Sequence, residues 1–261
     1  MSIQTVRRSA PAHAGRQAGL TLVELSITML IALFLLGGLL TIVQHTRKTY
    51  SNQNQLTQLQ DAERLAMSIV TDVVQSAGYF PDPTNYTASG TLPAAAAATP
   101  IPAFLAGQAI SGSKSGTIPE DILAVRYTSL NEGSINCLGQ TNTTGAAVGY
   151  TNTFSIVASS SGGSLNCTLF DGTNTTNQIL VDGVTNLQVW YGVKRNFALD
   201  DYNVDSYLRQ DEMTLATDWA NVSAIRIIIT FVNPLKSEAG QPATIDFERV
   251  IAVMNRAGVK T

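Results

Sequence analysis

Residues 20–43 read LTLVELSITMLIALFLLGGLLTIV, and Glu24 is the only charged side chain among these 24 positions. As an α-helix rising ~1.5 Å per residue the run is about 36 Å long, enough to cross a hydrocarbon core of about 30 Å. It is too long for the apolar region of a cleaved secretory signal, about 7–15 residues, and no A-x-A-like processing site follows it. A helix apolar on every face needs lipid or protein on every side, so a membrane helix is preferred over a buried core helix. A carboxylate in such a span costs about 2.5–3.5 kcal/mol at the helix centre and less near the headgroups. Glu24 therefore asks for a partner, which a positive group on a neighbouring subunit would supply.

Working outward, the 19 preceding residues hold Arg7, Arg8 and Arg16 and no acid, while Arg47 and Lys48 follow the run, then Asp61 and Glu63. Three basic residues against two favour a cytoplasmic N-terminus by a narrow margin. Beyond Val43 the helical pattern continues: Leu56, Leu59, Ala62, Ala66, Ile69, Val70, Val73 and Ala77 form an apolar stripe at three- and four-residue steps. No proline intervenes before Pro81, and Gly78 is placed to cap the helix. One helix is predicted from about Leu20 to Ala77. Gly37-Gly38 is either its point of bending or unwinding, or a pair of small residues for close helix packing.

The rest of the chain is different in character. Residues 81–117 contain five prolines, the run Ala94–Ala98 and SGSKSGT, and read as a long loop, either a mobile excursion or one structured by packing. Strand-like runs follow at Asp121–Tyr127, Phe154–Val157, Leu165–Phe170, Asn186–Gly192, Ser223–Val232 and Thr244–Val253. A long helix followed by antiparallel strands is an α+β order. Cys137 and Cys167, the only cysteines, lie in Asn/Thr/Ser/Gly-rich sequence. They suit a disulfide in an oxidising compartment, although spacing alone leaves two free thiols open.

Composition narrows the function. Only 13% of the 261 residues are charged, about half the usual share. The two histidines, His13 and His45, leave none downstream for Ser-His-Asp or Cys-His catalysis or a His-rich zinc site. With no recognisable nucleophile motif either, the chain does not read as an enzyme, and no cofactor is required. The formal charge of −3 speaks against nucleic acid as a partner, despite a local Lys194-Arg195 pair. The segment from Asp201 to Glu212 sets Asp201, Asn203, Asp205 and Glu212 at the first, third, fifth and twelfth positions of an EF-hand-like loop, with the Tyr207 carbonyl at the seventh. Against a Ca²⁺ site stand Ser206 in place of the turn glycine, Arg209 at the ninth position and no evident flanking helices. A solvated acidic loop is the preferred reading, with calcium as the alternative.

Gly19-Leu20-Thr21-Leu22-Val23-Glu24, after a basic leader and before an uninterrupted apolar run, resembles the class III signal of type IV prepilins. The resemblance implies cleavage by a membrane prepilin peptidase between Gly19 and Leu20 and N-methylation of Leu20. It also implies pairing of Glu24 with the N-terminal amine of an adjacent subunit. Leu20 stands where the family most often has Phe. Loss of the +3 leader would take the charge from −3 to −6. DILAVRY at 121–127, LVDGVTNLQVWYGV at 180–193 and the close at Met254-Asn-Arg256 are similar to PilW-type minor pilins.

The implied fold is pilin-like α+β, with a long N-terminal helix, transmembrane in its first half, packed on an antiparallel β-sheet head. Its divisions are a leader at 1–19, a transmembrane assembly helix at 20–43, an amphipathic continuation at 44–78 and a periplasmic head at 79–261. The implied role is a minor pilin anchored once in the inner membrane that co-assembles with other minor pilins and the major pilin at the assembly platform. It would initiate type IV pili, support surface pili and twitching motility, and end at the pilus tip or in the filament. The alternatives are a minor pseudopilin of a type II secretion system and a tip adhesin or DNA-uptake subunit.

Overall fold

A computed structural model describes residues 19, 21–115, 120–130, 133–159, 162–196 and 203–255. The chain divides into two compact units, residues 1–51 and 52–261. One helix, α1 (Leu22–Gln75), supplies most of the first unit and enters the second. It stays helical through Gly37 and Gly38, so the glycine pair does not unwind it. It ends as expected: Gly78 adopts a left-handed backbone, φ 73°, and its N–H donates to the Arg126 carbonyl at 3.0 Å.

In the second unit the expected stripe is the buried one. Ala66, Met67, Val70, Val73, Val74 and Ala77 are buried, with Leu59, Ala62 and Ile69 packed beside them. They share one hydrophobic core with the inner faces of two antiparallel sheets. After a single turn of helix, α2 (Ala88–Thr91), the first sheet is a meander of β1 (Ile110–Ser115), β2 (Glu120–Ser129), β3 (Val148–Val157), β4 (Ser164–Phe170) and β5 (Thr175–Asp182), in that spatial order. Gly183, with φ 77°, alone separates β5 from β6 (Val184–Val193). The second sheet adds β7 (Ser206–Leu208), the short α3 (Ala216–Ala220), β8 (Ala224–Val232) and β9 (Thr244–Ala252), with strand order β7-β6-β8-β9. Within the first sheet Leu123, Phe154 and Cys167 stand in register and are wholly buried.

All six expected strands form; β1, β5 and β7 were not foreseen. β1 is ISGSKS, without a hydrophobic alternation, and lies at an edge. β5 is an edge strand whose first five residues are exposed. An exposed edge has no burial to impose a period-two pattern. The stretch read as a loop at 81–117 is in part structured by packing: it holds α2, β1 and two bridges, Ala95–Phe104 and Ala98–Ile101.

Its anchor is Arg126. This side chain is 5% exposed, and its guanidinium donates to the carbonyls of Leu92, Pro93, Leu105 and Gln108 while lying 4.6 Å from the centre of the Phe104 ring. Burial pulls its pKa down to about 10, which still leaves it charged at neutral pH. The loop between β2 and β3 is fastened by the Cys137–Cys167 disulfide, with Cα atoms 6.2 Å apart, and by asparagine amides. Asn152 accepts from the Cys137 N–H at 2.8 Å, and Asn142 donates to the Ser129 and Ala146 carbonyls at 2.8 and 2.6 Å.

Two stability predictions follow from these fasteners. Arg126→Leu removes the donors to the Pro93 and Gln108 carbonyls, whereas Leu92 and Leu105 keep the Gly107 and Gln108 N–H groups. It should lower the unfolding free energy by about 2 kcal/mol, since each buried orphan costs ~1–3 kcal/mol. Limited proteolysis should then cut within residues 81–109 before global unfolding; an unchanged urea midpoint and cleavage pattern would contradict the clamp. Replacing Cys137 and Cys167 by Ser releases a loop of 30 residues. The expected loss is about 3–4 kcal/mol, read as a urea-midpoint shift that reductant reproduces in the native chain.

Candidate functional site

The first unit contains the surface that the sequence singled out. Thr21 caps α1: its hydroxyl accepts the Glu24 N–H at 3.3 Å and its carbonyl accepts the Leu25 N–H at 3.1 Å. Thr21-x-x-Glu24 is thus an N-terminal start signal legible in the sequence, and it puts the carboxylate in the first turn, where the helix dipole favours it. Gly19 is exposed with open space around it. Leu20, the expected methylated residue, lies outside the described residues, as do the leader residues 1–18.

From Leu22 to Val43 every residue is exposed, Leu22 by 85% and Phe34 by 80%. Among the described residues nothing packs over this apolar stretch, and its length and composition suit a membrane span. Its hydroxyls hide their polarity within the helix. Ser26 donates to the Val23 carbonyl at 2.8 Å, Thr28 to Glu24 and Leu25 at 2.9 Å each, and Thr41 to Gly37 at 2.9 Å. Such back-bonding satisfies donors that hydrocarbon would leave unpaired. Glu24 is the exception: among the described residues no side chain meets its carboxylate.

The head holds its charges differently. Asp121 on β2 is 2% exposed; it accepts the Val189 N–H of β6 at 2.8 Å and an Arg209 N–H at 2.9 Å, joining the two sheets. Burial raises its carboxyl pKa, opposed by the Val189 N–H and the Arg209 charge. Arg209 and Arg226 lie 5.0 and 4.9 Å from the Trp190 ring centre, and Arg226 pairs with Glu248 at 2.6 Å. The Tyr191 ring fills the space left by Gly112, where any Cβ would collide with its hydroxyl.

The calcium reading meets a different arrangement. Asp201 lies outside the described residues, and Tyr207 sits within strand β7. Asp205 accepts the backbone N–H groups of Arg195 and Asn196 at 3.0 and 2.6 Å, which hold its pKa below the usual carboxylate range. Glu212 closes a turn by accepting the Arg209 N–H at 2.7 Å. Asn203 precedes β7 in irregular backbone. Among the described residues no three His, Cys, Asp or Glu side chains gather as a metal-binding group.

An exposed apolar helix with an acid in its first turn thus continues into a β-sheet head. The family described as Type IV Pilus-assembly protein W matches residues 153–253, from within β3 to the end of β9. Among solved structures, a type IV-like pilin from Thermus thermophilus aligns with 76% of this chain and 96% of its own, at 10% identity and a TM-score of 0.43. No curated protein matches. The family match covers the 180–193 stretch quoted for the PilW resemblance; 121–127 and Met254-Asn-Arg256 lie outside it.

A charged residue in the middle of the span tests the reading of this surface. Phe34→Arg should disfavour insertion by about 3 kcal/mol on translocon scales. The fraction retained in membranes after alkaline carbonate washing should fall, while Phe34→Leu leaves it unchanged; equal retention of both variants would contradict a membrane span.

Proposed function

We propose that the chain is a minor pilin that co-assembles with other minor pilins to initiate type IV pili, and so supports surface pili and twitching motility. The observation that carries this reading is the apolar half of α1, which exposes every residue from Leu22 to Val43 and presents one carboxylate without a side-chain partner among the described residues. The head's match to the pilus-assembly W family supports it. In this reading a prepilin peptidase cuts between Gly19 and Leu20, and the subunit waits in the inner membrane with its head in the periplasm. Transfer to a filament then exchanges lipid contacts for helix–helix contacts, so the apolar surface never meets water.

Glu24 supplies register. In hydrocarbon its charge is costly, and pairing with the N-terminal amine of the adjacent subunit fixes that subunit at one height. A buried ion pair of this kind gives specificity more readily than stability. The Thr21 cap places the carboxylate one turn into the helix, close to where a new N-terminus at Leu20 would be. The chain acts as a structural subunit, not as an enzyme.

Glu24→Ala should be inserted and cleaved normally but recovered poorly in sheared filaments; recovery and complementation equal to the native chain would sink the register role. In an in-frame deletion strain, surface filaments should vanish and partly return when the retraction motor is also removed. Persistent filaments with exoproteins held in the periplasm would instead assign the chain to a secretion pseudopilus.

A further inference from the structure

A groove of about 1120 Å³ lies on the outer face of the first sheet, the face turned away from the core. Its floor is polar. β3, β4 and β5 contribute Ser155, Asn166, Thr168 and Asn177, of which all but Asn177 are at least nine-tenths buried. One wall is the segment Thr99–Leu105, held in place by Arg126 beneath Phe104 and by the Ser111 hydroxyl, which donates to the Ala103 carbonyl at 2.7 Å. Trp219 stands at the far side. Its ring meets Tyr191 edge to face at 4.9 Å, and α3, which carries it, is fixed by Asp218, whose carboxylate binds Arg195 at 2.6 Å and the Leu215 N–H at 3.0 Å.

The chemistry of the lining selects a ligand class. The one charged residue among its walls, Lys114, is paired with Asp211 at 2.8 Å. The floor offers neutral amides and hydroxyls. Thr168 donates to the Asn177 carbonyl oxygen at 2.5 Å and receives an Asn166 N–H at 3.2 Å, and among the described residues the Asn177 amide donors and the Asn166 carbonyl oxygen have no partner. Among the described residues no group hydrogen-bonds the Ser155 hydroxyl, although the residue is 5% exposed. Planar amides offer a donor and an acceptor side by side, the geometry of neighbouring sugar hydroxyls, and an indole packs against the C–H face of a sugar ring. A peptide would instead seek an unpaired strand edge, whereas Ser155, Asn166 and Thr168 stand on β3 and β4, which are paired on both sides.

We infer that this groove binds a neutral oligosaccharide, with Asn166, Asn177 and Ser155 meeting its hydroxyls and Trp219 lying against a ring. The site sits in the head and does not depend on the pilus-assembly role.

The test uses the purified full chain in a zwitterionic detergent without sugar headgroups, titrated with cellotriose, maltotriose and chitotriose by isothermal calorimetry. At least one should bind saturably in the low-millimolar range or tighter. Trp219→Ala and Asn177→Ala should each weaken that binding roughly tenfold or more, the scale of one lost stack or hydrogen-bond pair. Asn177 is exposed at a sheet edge, so its variant keeps the fold even if the Trp219 change does not, and circular dichroism checks both. No saturable heat with any of the three sugars overturns the proposal. So does binding that survives both substitutions, or displacement of the sugar by an uncharged extended peptide at equal concentration.

Discussion

Among the described residues nothing covers the apolar surface of the first unit. Residues Leu22 to Val43 expose large apolar side chains along α1. The hydrophobic effect acts on apolar area irrespective of direction, so this helix is stable only in lipid or among other helices, and an isolated chain in water is not its working state. The rest of the molecule is compatible with that condition. The polar groups of the span back-bond within the helix, and the amphipathic second half of α1 carries its stripe into a core that the head completes by itself.

That core is unusual in where it places charge. A chain with only 13% charged residues sets several of them inside. Arg126 gathers four carbonyls of an irregular segment, Asp121 ties one sheet to the other, and Asp218 fixes a helix of five residues against Arg195. Each serves a place where regular secondary structure leaves backbone groups unpaired or two elements without a shared ladder. A buried charge is costly alone, and these are fully engaged; with so few charges in the chain, they act as internal fasteners more than as surface solubilisers.

What the sequence disclosed and what it hid divide along physical lines. The span, the stripe on α1, the cap at Gly78 and the six strands were legible because burial or lipid imposes a period, and periods survive in sequence. The Thr21 cap went unread, although it opens an S/T-x-x-E pattern. β1 and β5 were hidden because edges impose none. The Asp201–Glu212 spacing left a solvated acidic loop, the preferred reading, and a calcium site both open; Asp205 and Glu212 accept backbone N–H groups of turns, a use that spacing alone does not disclose. The outer-face groove had no signal at all. Ser155, Asn166, Thr168 and Asn177 come from three strands and meet only through register, and Asn/Thr-rich sequence reads as loop before the pairing is known.

The same register separates two tasks within the head. Along β3 and β4 alternate residues face opposite ways, so Phe154 and Cys167 enter the core while Ser155, Asn166 and Thr168 line the groove. Substitution on the groove side changes hydrogen-bonding groups without opening a cavity in the core, whereas substitution on the inner side must conserve volume. Two faces of one sheet can thus vary under independent constraints: the inner face is bound to the helix stripe it packs beside, and the outer face only to whatever occupies it. A sheet so built can keep a constant relation to the helix while its outer chemistry is free to diverge.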